Sequence, residues 1–185
     1  MKKSVSTNGG KTYDKKGSHG DIPQITQIYC DILDLEATQK GQTGWVKGIY
    51  PSKATALESV EQGEMYVMEE DGVIVASAKL NQKQVPSYAR AKWEYDAPAE
   101  EVMVIHTLTV SPSENRKGYG TAFIKYYEEF ALEQGCRYLR MDTNAINKPA
   151  RSLYQKLGYK EAGIVPCNFN GIKDVMLVCL EKYLG

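Results

Sequence analysis

The chain has 185 residues and a mass of 20.7 kDa, which fits one domain. Its 42% hydrophobic and 25% charged residues are near globular averages and exclude disorder as the main state. The balance of 23 Lys+Arg against 23 Asp+Glu counts against a nucleic-acid binder, and the longest apolar run, Val175–Leu180, is far below the roughly 18 residues of a membrane span.

Residues 1–20 carry five Lys and one Asp with four Gly and three Ser. Met1–Thr7 has charge but no apolar stretch, so no secretory signal is expected. Residues 1–10 are expected to be a disordered extension, followed by a short first strand, with residues 11–185 forming the single domain. Ser18 and Asp21 have capping-box spacing, Pro23 suits a first turn, and Ile22, Ile25, Ile28, Tyr29, Ile32 and Leu33 recur at helical spacing. Thr38–Pro51 reads as a loop and Lys53–Glu61 as a short helix. Glu64–Glu69 and Val73–Leu80 read as strands joined at Asp71-Gly72, a hairpin signal.

Asn81–Glu100 is a long irregular stretch, of a kind that is usually functional in a compact domain. Glu101–Val110 reads as a strong strand, a polar loop follows, and Gly118 opens a helix buried through Tyr119, Phe123, Ile124, Tyr127 and Phe130. Arg137–Asp142 is a strand, Asn147–Leu157 a helix stopped by Gly158, and Tyr159–Gly163 and Asp174–Leu180 the last strands. This order predicts an α/β (α+β layered) domain around one sheet.

The four cysteines, Cys30, Cys136, Cys167 and Cys179, are scattered without a C-x-x-C pair and read as free thiols in a cytoplasmic protein. Two distant histidines, His19 and His106, give no basis for a metal site. No nucleic-acid or membrane partner is expected, and a homodimer is left open.

The segment Ser111–Thr121 lies between a strand and a helix. A helix N-terminus has free N–H groups and a positive dipole end. Gly118 and Gly120 let the backbone approach an anion, and Arg116 and Lys117 add charge. The segment therefore reads as a pyrophosphate cradle, although it matches neither a Walker A loop nor a dinucleotide fingerprint, which would need Gly where Phe123 stands.

Asn115-Arg116-Lys117-Gly118-Tyr119-Gly120 resembles motif A of the GNAT superfamily of N-acetyltransferases, commonly written R/Q-x-x-G-x-G/A. Val104–Pro112 resembles the family's fourth strand, and Asn147–Tyr159 resembles its N-x-x-A-x-x-L-Y-x-K-L-G-F/Y segment. The three pieces stand in family order. Asn115 departs from the usual Arg or Gln and weakens the case for a side-chain phosphate contact there.

The resemblance implies a mixed, mostly antiparallel central sheet flanked by helices, the GNAT-like acyl-CoA N-acyltransferase fold. It implies transfer of acetyl from acetyl-CoA, as co-substrate without a metal, to a primary amine of a small molecule or peptide, directly in a ternary complex. Backbone groups of Leu108 and Val110, with Thr109 between them, would pair with the pantetheine arm as an added strand. The pyrophosphate would lie on Asn115, Arg116, Lys117, Gly118, Tyr119, Gly120 and Thr121. Asn147 would bond the pantetheine or thioester region, beside Ala150. Tyr154 would serve the departing thiolate as acid, and a backbone N–H near Leu108 or Thr109 would serve the oxyanion. His106 is a candidate base, on the same face as Leu108 and Val110 if alternation is strict, with Glu101 and Glu94 as alternatives. Trp45, Tyr50, Trp93 and Glu94 are candidate acceptor-binding residues. A catalytically silent acyl-CoA-binding or sensing module on the same fold is the alternative reading.

Overall fold

The structure, a computed structural model, describes residues 3–6, 11–38, 42–114 and 117–185, with side chains from Asp14 onward. The chain runs through strands β1 (Lys3–Ser6) and β2 (Lys11–Lys16), helices α1 (Ile22–Thr38) and α2 (Lys53–Glu61), and strands β3 (Met65–Glu70), β4 (Val73–Asn81) and β5 (Val102–Val110). Helix α3 (Tyr119–Glu133), strand β6 (Tyr138–Asn144), helix α4 (Lys148–Lys156) and strands β7 (Lys160–Phe169) and β8 (Ile172–Tyr183) complete it.

All eight strands form one sheet in the order β1-β2-β3-β4-β5-β6-β8-β7. Every neighbouring pair is antiparallel except β5 and β6. The mixed, mostly antiparallel layered architecture is the expected one.

Local chemistry explains the borders. Asp21 accepts from the Ser18 N–H at 2.8 Å and from its hydroxyl at 2.7 Å, which fixes the entry to α1. At the β3–β4 hairpin Asp71 and Gly72 both have positive φ, 50° and 84°, as the tight turn requires. One correction falls at the N-terminus. Lys3–Ser6, expected to be disordered, pairs with β2 as an edge strand, since a ladder is built from backbone groups and needs no apolar side chain. The rest of the 1–10 expectation, residues 1, 2 and 7–10, lies outside the described residues.

Alternation along the strands divides the core. Tyr66 and Met68 face α3, whereas Met65 and Val67 face α1 and α2. On the α3 side Phe123, Ile124 and Tyr127 are fully buried against Met103, Ile105, Leu139 and Met141. Each such side chain contributes about 2–3 kcal/mol by burial. The Tyr127 hydroxyl donates to the carbonyls of Met103 at 2.6 Å and Arg140 at 3.2 Å, and so ties β5 to β6 where they run together. A third cluster packs Tyr88, from a 3-10 turn at Pro86–Arg90, on Val102, Val104, Val175 and Leu177. Among the described residues, no helix is long and apolar enough to cross a membrane.

Candidate active site

Among the described residues, the only parallel pair in the sheet is also the pair that comes apart. β5 and β6 are in register from Val102↔Tyr138 to Ile105↔Met141 and no further. Beyond that point β5 remains on β4 and β6 remains on β8. A cleft of about 970 Å³ opens at the parting, lined among others by His106–Val110 on one side and Asp142–Asn144 on the other.

A bulge in β5 sits at the parting. Ser77 pairs with Thr109 and Lys79 with His106, so two residues of β5, Thr107 and Leu108, oppose one of β4. Thr107 has φ +52°, a costly conformation for a β-branched residue. Its hydroxyl is hydrogen-bonded to the phenol of Tyr50 from the α1–α2 loop. Past the bulge, the Ser111 N–H donates to the Val75 carbonyl at 2.8 Å. Antiparallel alternation then turns the N–H and C=O of Val110 and Leu108 away from β4, toward the gap.

The bulge also corrects one expectation. His106 does not share a face with Leu108 and Val110, because the extra residue reverses the alternation. Leu108 and Val110 pack on the α3 side with Met103 and Ile105, while His106 stands beside Lys79 and Asn81 on the other face. Asn81 donates to Glu64 at 2.8 Å, and its Oδ1 accepts the Lys83 N–H at 2.9 Å. His106 Nε2, 2.9 Å from that oxygen, therefore carries a proton. Burial, reinforced by the Lys79 charge, lowers the His106 pKa to about 4, so the ring is neutral at physiological pH and weakly basic.

One end of the cleft is framed by two helix starts. Gly118 is the N-cap of α3 with φ +86°, and a Cβ built there meets nothing within 4 Å. The first helical bond runs from Ala122 N–H to the Gly118 carbonyl, so the amides of Tyr119, Gly120 and Thr121 have no partner within the helix. Gly120 lies close to both α4 and β5, its Cβ position 3.4 Å from Leu153 and 3.8 Å from Val110. The Tyr119 side chain is buried in the core with its hydroxyl on Glu70, so only its backbone faces the loop. Lys117 pairs with Glu114 at 2.5 Å. Asn115 and Arg116 lie outside the described residues.

Helix α4 contributes Asn147, Ala150 and Tyr154 to the cleft. Asn147 Oδ1 caps its own helix by accepting from the Ala150 N–H at 3.2 Å, leaving the amide NH₂ to donate. Tyr154 is buried apart from the edge it shows the cleft, and its hydroxyl has no hydrogen-bond partner among the described residues. Burial, with the Asp142 carboxyl adding to it, pushes its pKa well above the usual phenol value and keeps it protonated.

At the far end Trp45 and Tyr50 line the cleft, with Phe169 from the β7–β8 hairpin beside them. Trp45 meets Tyr50 edge-on at 5.9 Å and Tyr50 meets Phe169 edge-on at 6.2 Å. The other expected acceptor residues are elsewhere. Trp93 lies behind Tyr88, donating to its carbonyl at 2.9 Å and carrying the Arg140 guanidinium on its ring at 4.1 Å. Glu94 is half exposed and paired with Lys160 at 2.8 Å. Glu101 closes a 3-10 turn at the opposite end of β5. Asp142, Thr107 and Phe169 were not expected from the sequence. The first stands inside β6, with no local signal to mark it.

The acetyltransferase (GNAT) family profile matches residues 29–159, and the chain belongs to that family. It is 33% identical over 144 residues to an uncharacterized N-acetyltransferase of Methanocaldococcus jannaschii, covering 76% of this chain and 62% of that protein. It spans between 36% and 62% of the length of the curated relatives it matches. A GNAT-family acetyltransferase structure from Streptococcus agalactiae superposes with TM-score 0.81 at 19% identity, covering 98% of this chain and 99% of that one. A structure of yncA from Salmonella typhimurium with its cofactor acetyl-CoA superposes with TM-score 0.66 at 17% identity, covering 94% of each chain. At these identities, the two structures share the fold.

Proposed function

We propose that the protein is an N-acetyltransferase that moves an acetyl group from acetyl-CoA to a primary amine in one ternary complex. The observation that carries this reading is the parting of β5 and β6 at the Thr107–Leu108 bulge. It leaves a strand edge with free backbone groups running toward the bare N-terminus of α3. An extended arm with amide groups fits that edge as an added strand, and a pyrophosphate fits the amides of residues 118–121. The open space above Gly118 suits both.

In this reading Leu108 and Val110 hold the arm and the Leu108 N–H, turned into the gap, donates to the developing oxyanion. Asn147 donates through its free NH₂, and Ala150 leaves room beside it. Tyr154, protonated and unpaired, gives its proton to the departing sulfur. His106 lines the acceptor side, where its low basicity favours hydrogen bonding over proton removal. The free cysteines Cys30, Cys136, Cys167 and Cys179 support a place in the reducing cytoplasm.

Calorimetry with acetyl-CoA, followed by CoA release with an amine panel, tests the reading. Binding with micromolar or better affinity and amine-dependent release are expected. Binding without release for any amine would favour a sensing module, and absence of binding would overturn the reading altogether.

A further inference from the structure

We propose that Asp142 is the residue that captures the acceptor's ammonium group and takes its proton, and that the acceptor is a primary ammonium on an aromatic or aliphatic stem. This rests on the acetyltransferase reading above and assigns the chemistry at the other end of the same cleft.

The position of Asp142 follows from the topology. It is the first β6 residue beyond the last β5–β6 pair, Ile105↔Met141, so it stands at the fork of the two strands. Across the fork is the bulge that presents Leu108. Asp142 Oδ2 accepts the Tyr88 hydroxyl at 2.7 Å. Oδ1 takes no hydrogen bond among the described residues, and the side chain lines the cleft. One oxygen is thus fixed by a neutral donor and the other is left for a ligand. A carboxylate held in a structural ion pair would face Lys or Arg; the groups around Asp142 are instead uncharged. They are Tyr88 from the 3-10 turn, Tyr50 from the α1–α2 loop, Tyr154 from α4 and Cys179 paired across from it on β8. Burial raises its pKa to about 6, against which the Tyr88 bond works in the other direction. A carboxyl of that basicity is ionised at pH 7.5 and can still accept a proton.

The surroundings set the substrate class. Trp45, Tyr50 and Phe169 form an edge-to-face aromatic wall on the acceptor side, continued by Ile172 from β8. Aromatic faces beside a carboxylate favour an ammonium on an apolar stem. The charge balance agrees. The two lysines of the cleft, Lys79 and Lys83, are both paired with Glu64, at 3.1 and 2.8 Å. Glu36, Glu58 and Asp142 have no ion-pair partner among the described residues. A cationic acceptor is drawn in and an anionic one is repelled.

The step balances as follows. The ammonium R–NH₃⁺ gives one proton to Asp142 Oδ1 and becomes R–NH₂. Its lone pair forms the C–N bond to the thioester carbonyl carbon, and the C–S bond breaks with its electrons going to sulfur, which takes the Tyr154 proton. The second nitrogen proton, lost as the amide forms, restores the phenol through solvent. Asp142 then releases its proton to water, so one proton leaves per turnover.

The test uses the full chain with 2-phenylethylamine, hexylamine and ethanolamine as probes. Wild type is expected to acetylate the first two at least 10-fold more efficiently than ethanolamine, with an acidic limb in kcat/KM near pH 6. Asp142→Asn should keep acetyl-CoA affinity by calorimetry, lose on the order of 10²–10⁴-fold in kcat/KM and lose the limb. Tyr88→Phe removes a bond that lowers the Asp142 pKa, so the limb should move to higher pH while acetyl-CoA affinity holds, a shift that a purely structural role would not produce. A folded Asp142→Asn with wild-type kcat/KM and an unchanged limb overturns the base assignment, and a preference for ethanolamine, or no turnover of any probe, overturns the substrate class. In each case acetyl-CoA binding by wild type leaves the acetyltransferase reading standing; a wild type that binds no acetyl-CoA overturns both.

Discussion

The phenol of Tyr50 is hydrogen-bonded to the hydroxyl of Thr107, the residue at which β5 bulges. A loop between two helices on one face of the sheet thus holds the strained backbone that turns Leu108 into the cleft. Thr107 at φ +52° is costly by itself, so its surroundings must maintain it.

Removing either hydroxyl from this pair should cost about 1 kcal/mol, the net worth of one hydrogen bond, because both groups are half-buried at the cleft. Tyr50→Phe and Thr107→Ala should each lower stability in urea by that amount. The double variant should lose less than the sum of the two, since the shared bond can be lost only once. Strict additivity would show that the two hydroxyls do not interact.

Gly118→Val should fold and bind acetyl-CoA at least about 10-fold more weakly. Its Cβ meets no protein atom within 4 Å, so the protein itself does not exclude the side chain. The φ of +86° adds about 1–2 kcal/mol of backbone cost. Unchanged acetyl-CoA affinity in the folded variant, measured by calorimetry, would remove the α3 N-terminus from the binding site.

Tyr154→Phe should lower kcat on the order of 10²-fold with little change in KM for acetyl-CoA. The ring shares an edge contact with Tyr159 at 6.2 Å, which Phe retains. Because the wild-type phenol titrates well above the usual range, it should stay protonated across pH 6–9 and the ratio of the two rates should be flat there. A wild-type rate from the variant would reduce Tyr154 to a packing residue.

Asp14 gives stability a pH dependence. It is 2% exposed, and neither carboxyl oxygen has a hydrogen-bond partner among the described residues. Burial, with Glu129 nearby, raises its pKa from 3.8 to about 7. The folded chain then binds more protons than the unfolded one between these values, so this contribution is complete below about pH 4 and is lost as pH rises through 7. Asp14→Asn should therefore be more stable than wild type by about 2 kcal/mol at pH 8 and show no such gain at pH 4. Equal differences at both pH values in urea unfolding would mean that the Asp14 charge is relieved in the folded state.

Much of the fold could be read from local sequence because its causes are local. Ser18 with Asp21, Asp71 with Gly72, and Gly158 after Leu157 are backbone instructions carried by neighbouring side chains, and each marks a border in the structure. The Gly118-x-Gly120 loop and the Asn147–Tyr159 helix were legible for the same reason. Their glycines, cap and stripe act within a few residues of one another.

What the sequence left undetermined depends on strands that meet from far apart. Alternation placed His106 with Leu108, and the bulge against Ser77–Lys79 put them on opposite faces. Trp93 and Glu94 have the composition of a binding loop, yet Arg140 and Lys160 engage them outside the cleft. Asp142 follows Met141 as one polar residue in a strand. Only the divergence of β5 from β6 one pair earlier gives it a cavity, a Tyr88 bond and a raised pKa. A side chain's local propensity is set by its neighbours in the chain, but its burial and basicity are set by whatever packs around it, and here those groups come from four separate elements.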